Sequence, residues 1–290
     1  MIVFNKCMEY INSQGTMKMS VVNNKSVLAS ANRMSLELHH FARGTYPVAG
    51  RELHALPVNR FFMVISNPGG DRCRIEDDRD SFICTPGCAY FAPLHHPCRF
   101  ILDKDLEFIS IHFTLELYEG VDIFSSFGKI CQLRDKSFLR RAQKAFDKTA
   151  ALTGALELRS LVAEFAALQA DSMTEEQWEN VSRFAPFKKE LAYLQNTPPA
   201  RVTVEELAEL HGVSRENFSR SFTRITGMTP KQFLTQITVN RACRKLISEK
   251  NTIREIALEL GFSNEFYFSN FFRKHTGGSP REYRRSAPLK

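Results

Sequence analysis

Between residues 33 and 113 the apolar positions come in short runs: SLELHHF, RFFMVIS, SFIC, CAYFA, RFIL and EFISIHF. Turn-forming stretches, NPGGD, DDRD, TPG and LDKD, separate them. Short runs bounded by Gly, Pro and Asp predict strands, and strands this closely spaced predict an antiparallel sandwich or barrel. The period then changes. DKSFLRRAQKAFDKTAAL and GALELRSLVAEFAALQADSM place apolar residues at helical spacing. They predict two helices that pack together or against a second copy of the chain. The polar SMTEEQWENVSR that follows reads as a linker, and everything beyond it reads as helical. Residues 1–32, rich in Asn, Ser, Met and Lys with weak periodicity, read as a loose arm.

The last third contains an internal repeat. TVEELAELHGVSRENFSRSFTRITGMTPKQF (203–233) matches TIREIALELGFSNEFYFSNFFRKHTGGSPREY (252–283). Ala208, Gly212 and Ser214 align with Ala257, Gly261 and Ser263 at an offset of 49. Phe218, Phe222, Gly227 and Pro230 align with Phe268, Phe272, Gly277 and Pro280 at an offset of 50, so one residue is inserted after the second turn. Each copy predicts a helix, a Gly-containing turn, an N-capping Ser, a second helix and then Gly-x-Thr/Ser-Pro. That is the helix-turn-helix layout, whose second helix enters the major groove. Between the copies, KQFLTQITVNRACRKLISEK (231–250) predicts one long helix joining two recognition helices at fixed separation.

Helical wheels of the two second helices separate core from candidate contact residues. In the later copy Tyr267, Phe268, Phe271 and Phe272 form an apolar face. Asn264, Glu265, Phe266, Ser269, Asn270 and Arg273 fall elsewhere. Phe266, exposed among small polar groups, would either touch a thymine methyl or pack on a neighbouring helix. In the earlier copy Phe218, Phe222 and Ile225 cluster. Arg215, Glu216, Asn217, Ser219, Arg220, Thr223 and Arg224 form the candidate reading face. Arg220 bonds guanine, bonds a phosphate or stays solvated; Glu216 accepts from cytosine.

Charge strengthens the nucleic-acid reading. Residues 181–290 hold 19 Lys+Arg against 10 Asp+Glu, a net of +9, whereas 1–180 hold 20 against 22, a net of −2. A basic segment on a near-neutral partner predicts a polyanion, double-stranded DNA first and an anionic membrane surface second. At 43% hydrophobic and 24% charged, the 290 residues read as globular, with room for two domains. No apolar run approaches the roughly 20 residues of a membrane span, and the start carries no secretory pattern. Seven irregularly spaced cysteines, an odd number, fit thiols in a reducing compartment, hence the cytoplasm.

The pattern resembles the AraC/XylS family of bacterial transcription regulators. In the first unit the match rests on Leu207-Ala208, Gly212-Val213-Ser214, Phe218-Ser219-Arg220 and Phe222. In the second it rests on Ile253, Ile256-Ala257, Gly261-Phe262-Ser263, Tyr267-Phe268-Ser269, Phe272-Arg273-Lys274, Gly277, Ser279-Pro280 and Tyr283-Arg284. Asn270 departs from it, standing where the family most often has a basic residue. The resemblance implies an α+β chain of two domains. A cupin-like antiparallel barrel with following helices (33–175) would bind a small effector, a sugar or another metabolite, and form a homodimer. A linker (176–186) would lead to an all-α double helix-turn-helix domain (187–290). It further implies an activator that works with RNA polymerase. Candidate effector-lining groups are His39, His40, Arg43, His95, His96 and Arg99.

Cys84-Thr-Pro-Gly-Cys88 and Cys98, near His95 and His96, admit three readings: a strand turn flanked by buried thiols, a metal or redox sensor, or a repair site resembling that of the adaptive DNA-repair protein Ada. The Ada-like site needs a second close cysteine pair, which this sequence lacks. No Gly-rich phosphate loop, GxSxG or HExxH is present. His39, His40 and His54 lack the spacing of a cupin-type metal site. The expectation is therefore no catalytic residue, metal or cofactor. The alternative is a DNA-targeted enzyme or sensor built on the barrel.

Overall fold

The run NRFFMVIS becomes strand β3 (Asn59–Ser66), with six consecutive buried residues. A strand alternates its side chains, so a run buried at every position is covered on both faces. The computed structural model describes residues 31–45, 48–49, 55–148, 152–248 and 250–286. The arm expected at 1–32 lies outside them except for its last two residues, as does His54.

Strand β3 lies in a sheet with β1 (Ser35–Thr45), β6 (Ala89–Ala92), β8 (Glu107–Tyr118) and β10 (Cys131–Leu133), in the order β1-β8-β3-β6-β10. The short β9 (Val121–Asp122) is paired to β8. A second sheet has the order β2-β7-β4-β5, from Val48–Ala49, Arg99–Leu102, Arg74–Glu76 and Ser81–Ile83. All pairings are antiparallel. The antiparallel β domain stands as expected, but its strands form two open sheets rather than a closed barrel. Closure needs a continuous ladder around the ring, and β2, β4 and β5, of two or three residues, carry too few bonds for it.

The two faces of β3 serve two cores. Phe61 and Met63 face helices α1 (Lys136–Asp147) and α2 (Leu152–Ala170), where Phe61 meets Phe138 and Phe165 at 5.5 and 4.2 Å between ring centroids. Phe62 and Val64 face the second sheet. There Phe62 meets Phe100 at 5.6 Å and Phe108 at 4.5 Å, and Tyr90, Cys73, Cys84, Cys88 and Cys98 complete a filled interior.

The segment expected as a linker is folded. Helix α3 (Glu175–Ser182) starts in a reciprocal capping box between Thr174 and Gln177. The Gln177 amide also donates to the carbonyls of Ser126 and Phe127. Val181 and Phe184 enter the core of the first helix-turn-helix unit. Its polar composition hid a helix that rests on its cap and on apolar residues three apart.

Helices α4 (Lys188–Gln195), α5 (Val204–His211) and α6 (Arg215–Thr226) make the first unit; α8 (Ile253–Glu259), α9 (Glu265–Thr276) and α10 (Pro280–Ser286) make the second. The 19-residue helix α7 (Pro230–Ser248), about 28 Å long, feeds both cores. Phe233, Leu234 and Ile237 enter the first; Ala242, Cys243 and Leu246 enter the second.

The β8–β9 hairpin is inserted into the first helical core. Tyr118 and Val121 are buried with Phe187, Phe233 and Ile237. At the hairpin turn Gly120 has φ +73, and a Cβ there would lie 2.6 Å from Ile237 Cγ1. Only glycine combines that backbone with so close an approach. Arg241 of α7 donates to Glu119 at 2.7 Å and to the carbonyls of Leu194 and Thr197.

Candidate nucleic-acid interface

Each unit is set up by local signals. Thr203 and Thr252 cap α5 and α8 in reciprocal boxes with Glu206 and Glu255. The turns after them pass through Gly212 and Gly261, both at positive φ. At Gly261 a Cβ would also sit 2.8 Å from Arg201 Cγ, so the packing as well as the turn excludes a side chain. Ser214 caps α6 as expected. In the second unit the cap is Asn264 rather than Ser263. Its carboxamide oxygen accepts from Phe266 N and Tyr267 N, both at 3.0 Å. The inserted residue moves the helix start by one, and Asn264 is committed to the backbone.

On α6, Phe218 and Phe222 are fully buried, while Arg215, Glu216, Asn217, Arg220 and Arg224 are exposed. Arg215 pairs with Glu205 at 2.7 Å. Ser219 and Thr223 are half-buried, and the Thr223 hydroxyl donates to the Ser219 carbonyl at 2.7 Å. Arg220 and Arg224 make no ion pair among the described residues, so both guanidinium groups project freely from one helix face.

On α9, Phe268 and Phe272 are buried. Glu265, Phe266, Asn270 and Arg273 are exposed, and Ser269 is half-buried. Phe266 is 67% exposed, as its place on the wheel required. Tyr267, placed on the apolar face by the wheel, is instead 60% exposed, its ring edge-on to Phe266 at 6.0 Å. The buried face centres between Phe268 and Phe272. Tyr267 lies about 120° from that centre at 100° per residue, beyond the reach of the core. Phe271 is half-buried between Phe262 and His275. The exposed edge of α9 thus carries two aromatic rings where one was expected.

The six candidate effector groups differ in their partners. His39 shares a hydrogen bond with the Thr114 hydroxyl at 3.0 Å; burial, and then the charge of Arg244, lower its pKa to about 3. The His40 ring lies tilted against His112 at 5.1 Å between centroids, and burial lowers its pKa to about 4. Arg43 pairs with Glu107, His96 with Asp77, and Arg99 with Glu76. His95, at φ +58, lines a cleft against α7 and α9. Thus four of the six have protein partners.

Cys73, Cys84, Cys88 and Cys98 are all buried. Burial pushes the Cys84 thiol up to about 12, and Cys98 accepts from Arg60 at 2.8 Å. A thiol held that high is a poor nucleophile and a poor ligand. Among the described residues no three His, Cys, Asp or Glu side chains are grouped to hold a metal ion.

Residues 207–286 match the family model described as a helix-turn-helix domain. Over 86 residues the chain is 38% identical to an uncharacterised helix-turn-helix transcriptional regulator of Haemophilus influenzae, covering 30% of this chain and 29% of that one. Over 158 residues it is 28% identical to the transcriptional activator Btr of Bacillus subtilis, covering 52% of this chain and 30% of Btr. The chain therefore spans about a third of the length of these relatives. Among solved structures, the DNA-binding domain of AdpA in complex with a target DNA is 31% identical. That likeness covers 35% of this chain and 91% of that one, at a TM-score of 0.33. Residues 207–286, two capped helix-turn-helix units threaded on one long helix, form a helix-turn-helix domain of the AraC type.

Proposed function

We propose that the chain is a sequence-specific DNA-binding regulator of transcription that reads two successive major-groove segments of one duplex. The observation that carries this is the construction of α7. One helix contributes buried side chains to both helix-turn-helix cores, so α6 and α9 are held at a fixed separation. Their exposed faces present Arg220, Arg224 and Glu216 on one side and Phe266, Tyr267, Asn270 and Arg273 on the other. Such faces suit guanine, cytosine and thymine-methyl contacts in grooves about one turn, roughly 34 Å, apart. The excess of basic residues after 180 supplies phosphate contacts that fix register.

The β part is read as the responding domain. A small effector would favour one arrangement of the molecule through differential affinity, and activation would proceed through RNA polymerase. A homodimer is supported by the outer face of α2. There Leu152 and Leu156 are 77% and 59% exposed beside exposed Ala163 and Ala167. No described helix is long and apolar enough to cross a membrane.

The test is selection of bound duplexes from a random pool by the full-length protein. Enrichment of two short blocks about 10 base pairs apart supports the reading. A pool with no enriched motif, or with one block only, sinks two-segment recognition.

A further inference from the structure

Helices α6 and α9 share one geometry. Ser214 caps the first and Asn264 the second, and Gly227 and Gly277 end them in left-handed backbone, each pair 50 positions apart. Burial follows the same offset. Residues 214–222 and 264–272 are exposed, half-buried and buried in the same order. The outward positions of the two helices therefore correspond one to one, and only their side chains differ. At about 100° per residue, the direction opposite the buried Phe218 and Phe222 falls at Arg220, and in the second helix at Asn270. Glu216 and Phe266, one turn earlier, lie about 40° to one side, and Arg224 and Lys274, one turn later, lie about 40° to the other. All six are exposed.

The correspondence sorts these positions. Arg224 and Lys274 keep a cation in both helices, which suits a phosphate, present at every base pair. The other two positions exchange chemistry. In α6 they hold a carboxylate and a guanidinium, in α9 a phenyl ring and a carboxamide. The Asn270 carboxamide makes no hydrogen bond among the described residues, whereas the Asn264 oxygen is held by the N–H groups of Phe266 and Tyr267. In the major groove a guanidinium bonds guanine O6 and N7, and a carboxylate accepts from the cytosine amino group. A carboxamide bonds adenine N6 and N7, and an apolar ring meets the thymine methyl. Four helical residues rise about 6 Å, close to two base-pair steps of about 3.4 Å, so the two residues of each helix reach different base pairs.

We propose that the two units read opposite kinds of base pair. Glu216 and Arg220 select G·C at two positions of one block, and Phe266 and Asn270 select A·T at the corresponding positions of the other. The inference rests on the two-segment reading and assigns each block its composition. It also makes the site directional. Two like blocks would let either unit take either block. Unlike blocks fix which unit sits where, and so fix the direction in which the β part points along the duplex.

The test uses full-length protein. The motif selected from the random pool should hold one G·C block and one A·T block. On that duplex, deoxyuridine for thymidine in the A·T block removes only methyl groups and should weaken wild-type binding about fourfold. In the G·C block, 7-deazaguanine removes the N7 acceptor and should weaken it about tenfold. Phe266→Ala should abolish the first penalty and leave the second; Arg220→Ala should do the reverse. The double variant Phe266→Glu with Asn270→Arg, changed at exposed positions, should keep its melting temperature and select a motif with two G·C blocks. Two blocks of like composition for the wild type, no penalty from deoxyuridine, or an unchanged motif for the double variant would overturn the assignment while leaving two-segment reading in place. A pool with no enriched motif would instead remove two-segment reading, and the assignment with it.

Discussion

Arg244 of α7 donates to Glu116 of β8 at 2.7 Å, and the two side chains are only 10% and 12% exposed. A charge pair this deep joins the helix that carries both DNA-reading units to the longest strand of the β part. Attraction within such a pair roughly offsets the cost of removing both charges from water, but a single survivor is left uncompensated. Glu116→Ala should therefore cost about 3–5 kcal/mol in urea unfolding. Replacing both partners, Glu116→Leu with Arg244→Met, should cost clearly less. Equal losses in the single and double variants would show that the pair matters through shape and not charge.

The hairpin next to that pair depends on one glycine. At Gly120 any side chain would meet Ile237 at 2.6 Å with the backbone already at φ +73. Gly120→Ala should destabilise by about 1–3 kcal/mol from overpacking alone and should open the β8–β9 turn to limited proteolysis. Wild-type stability in this variant would mean the hairpin is not seated in the helical core.

Asp122, fully buried beside the same hairpin, has its pKa raised to about 7 by burial. The N–H groups of Leu115 and Phe124 and the Asn59 amide pull the other way. A carboxyl whose folded pKa lies above its unfolded value stabilises the fold most at low pH, and that stability is lost as pH rises. Its contribution should therefore decline between about pH 4 and pH 7, with a slope of at most about 1.4 kcal/mol per unit. Urea midpoints across this window should show the decline, and Asp122→Asn should remove it. A slope unchanged in the variant would assign the pH dependence to other groups.

Arg220 projects from α6, exposed and with no ion pair among the described residues. Arg220→Ala should leave the melting temperature unchanged and weaken binding to the selected duplex by about 1–3 kcal/mol. A loss equal on selected and random duplexes would mean a phosphate contact; no loss would remove Arg220 from the interface.

Phe266, 67% exposed, contributes little to the core. Phe266→Ala should change stability by no more than about 0.5 kcal/mol and should relax discrimination at one A·T pair, read by competition among single-base variants. Tyr267→Ala, its exposed neighbour, is the matched control. A fall of several degrees in melting temperature for Phe266→Ala would mean the ring packs inside the protein.

The repeat was legible in the sequence because its signals are local. A Thr three residues before a Glu caps a helix wherever it stands, and a glycine after a helix takes the left-handed backbone whatever lies nearby. Hence α5, α6, α8 and α9 follow the aligned Gly, Ser and Pro positions closely, and Phe268 and Phe272 of GFSNEFYFSNFF are core as the wheel required. Where the repeat predicted Ser263 as the cap, the chain used the next residue, Asn264. Where a wheel position lay at a boundary, as at Tyr267, the actual width of the core decided.

The sequence by itself determined the element types, the double helix-turn-helix and the polar face of each recognition helix, since these depend on periodicity and caps within a dozen residues. Only the tertiary structure decided that the strands form two open sheets, that Glu175–Ser182 is a capped helix leading into the first helical core, and that the β8–β9 hairpin locks onto α7. It also decided that His95, Asn240 and His275, far apart in the chain, line one cleft. Those outcomes depend on contacts between residues far apart in the chain, such as Gln177 with Ser126 and Arg244 with Glu116. No periodicity encodes such contacts, because the energy that selects them arises only when two surfaces are already folded and leave water together.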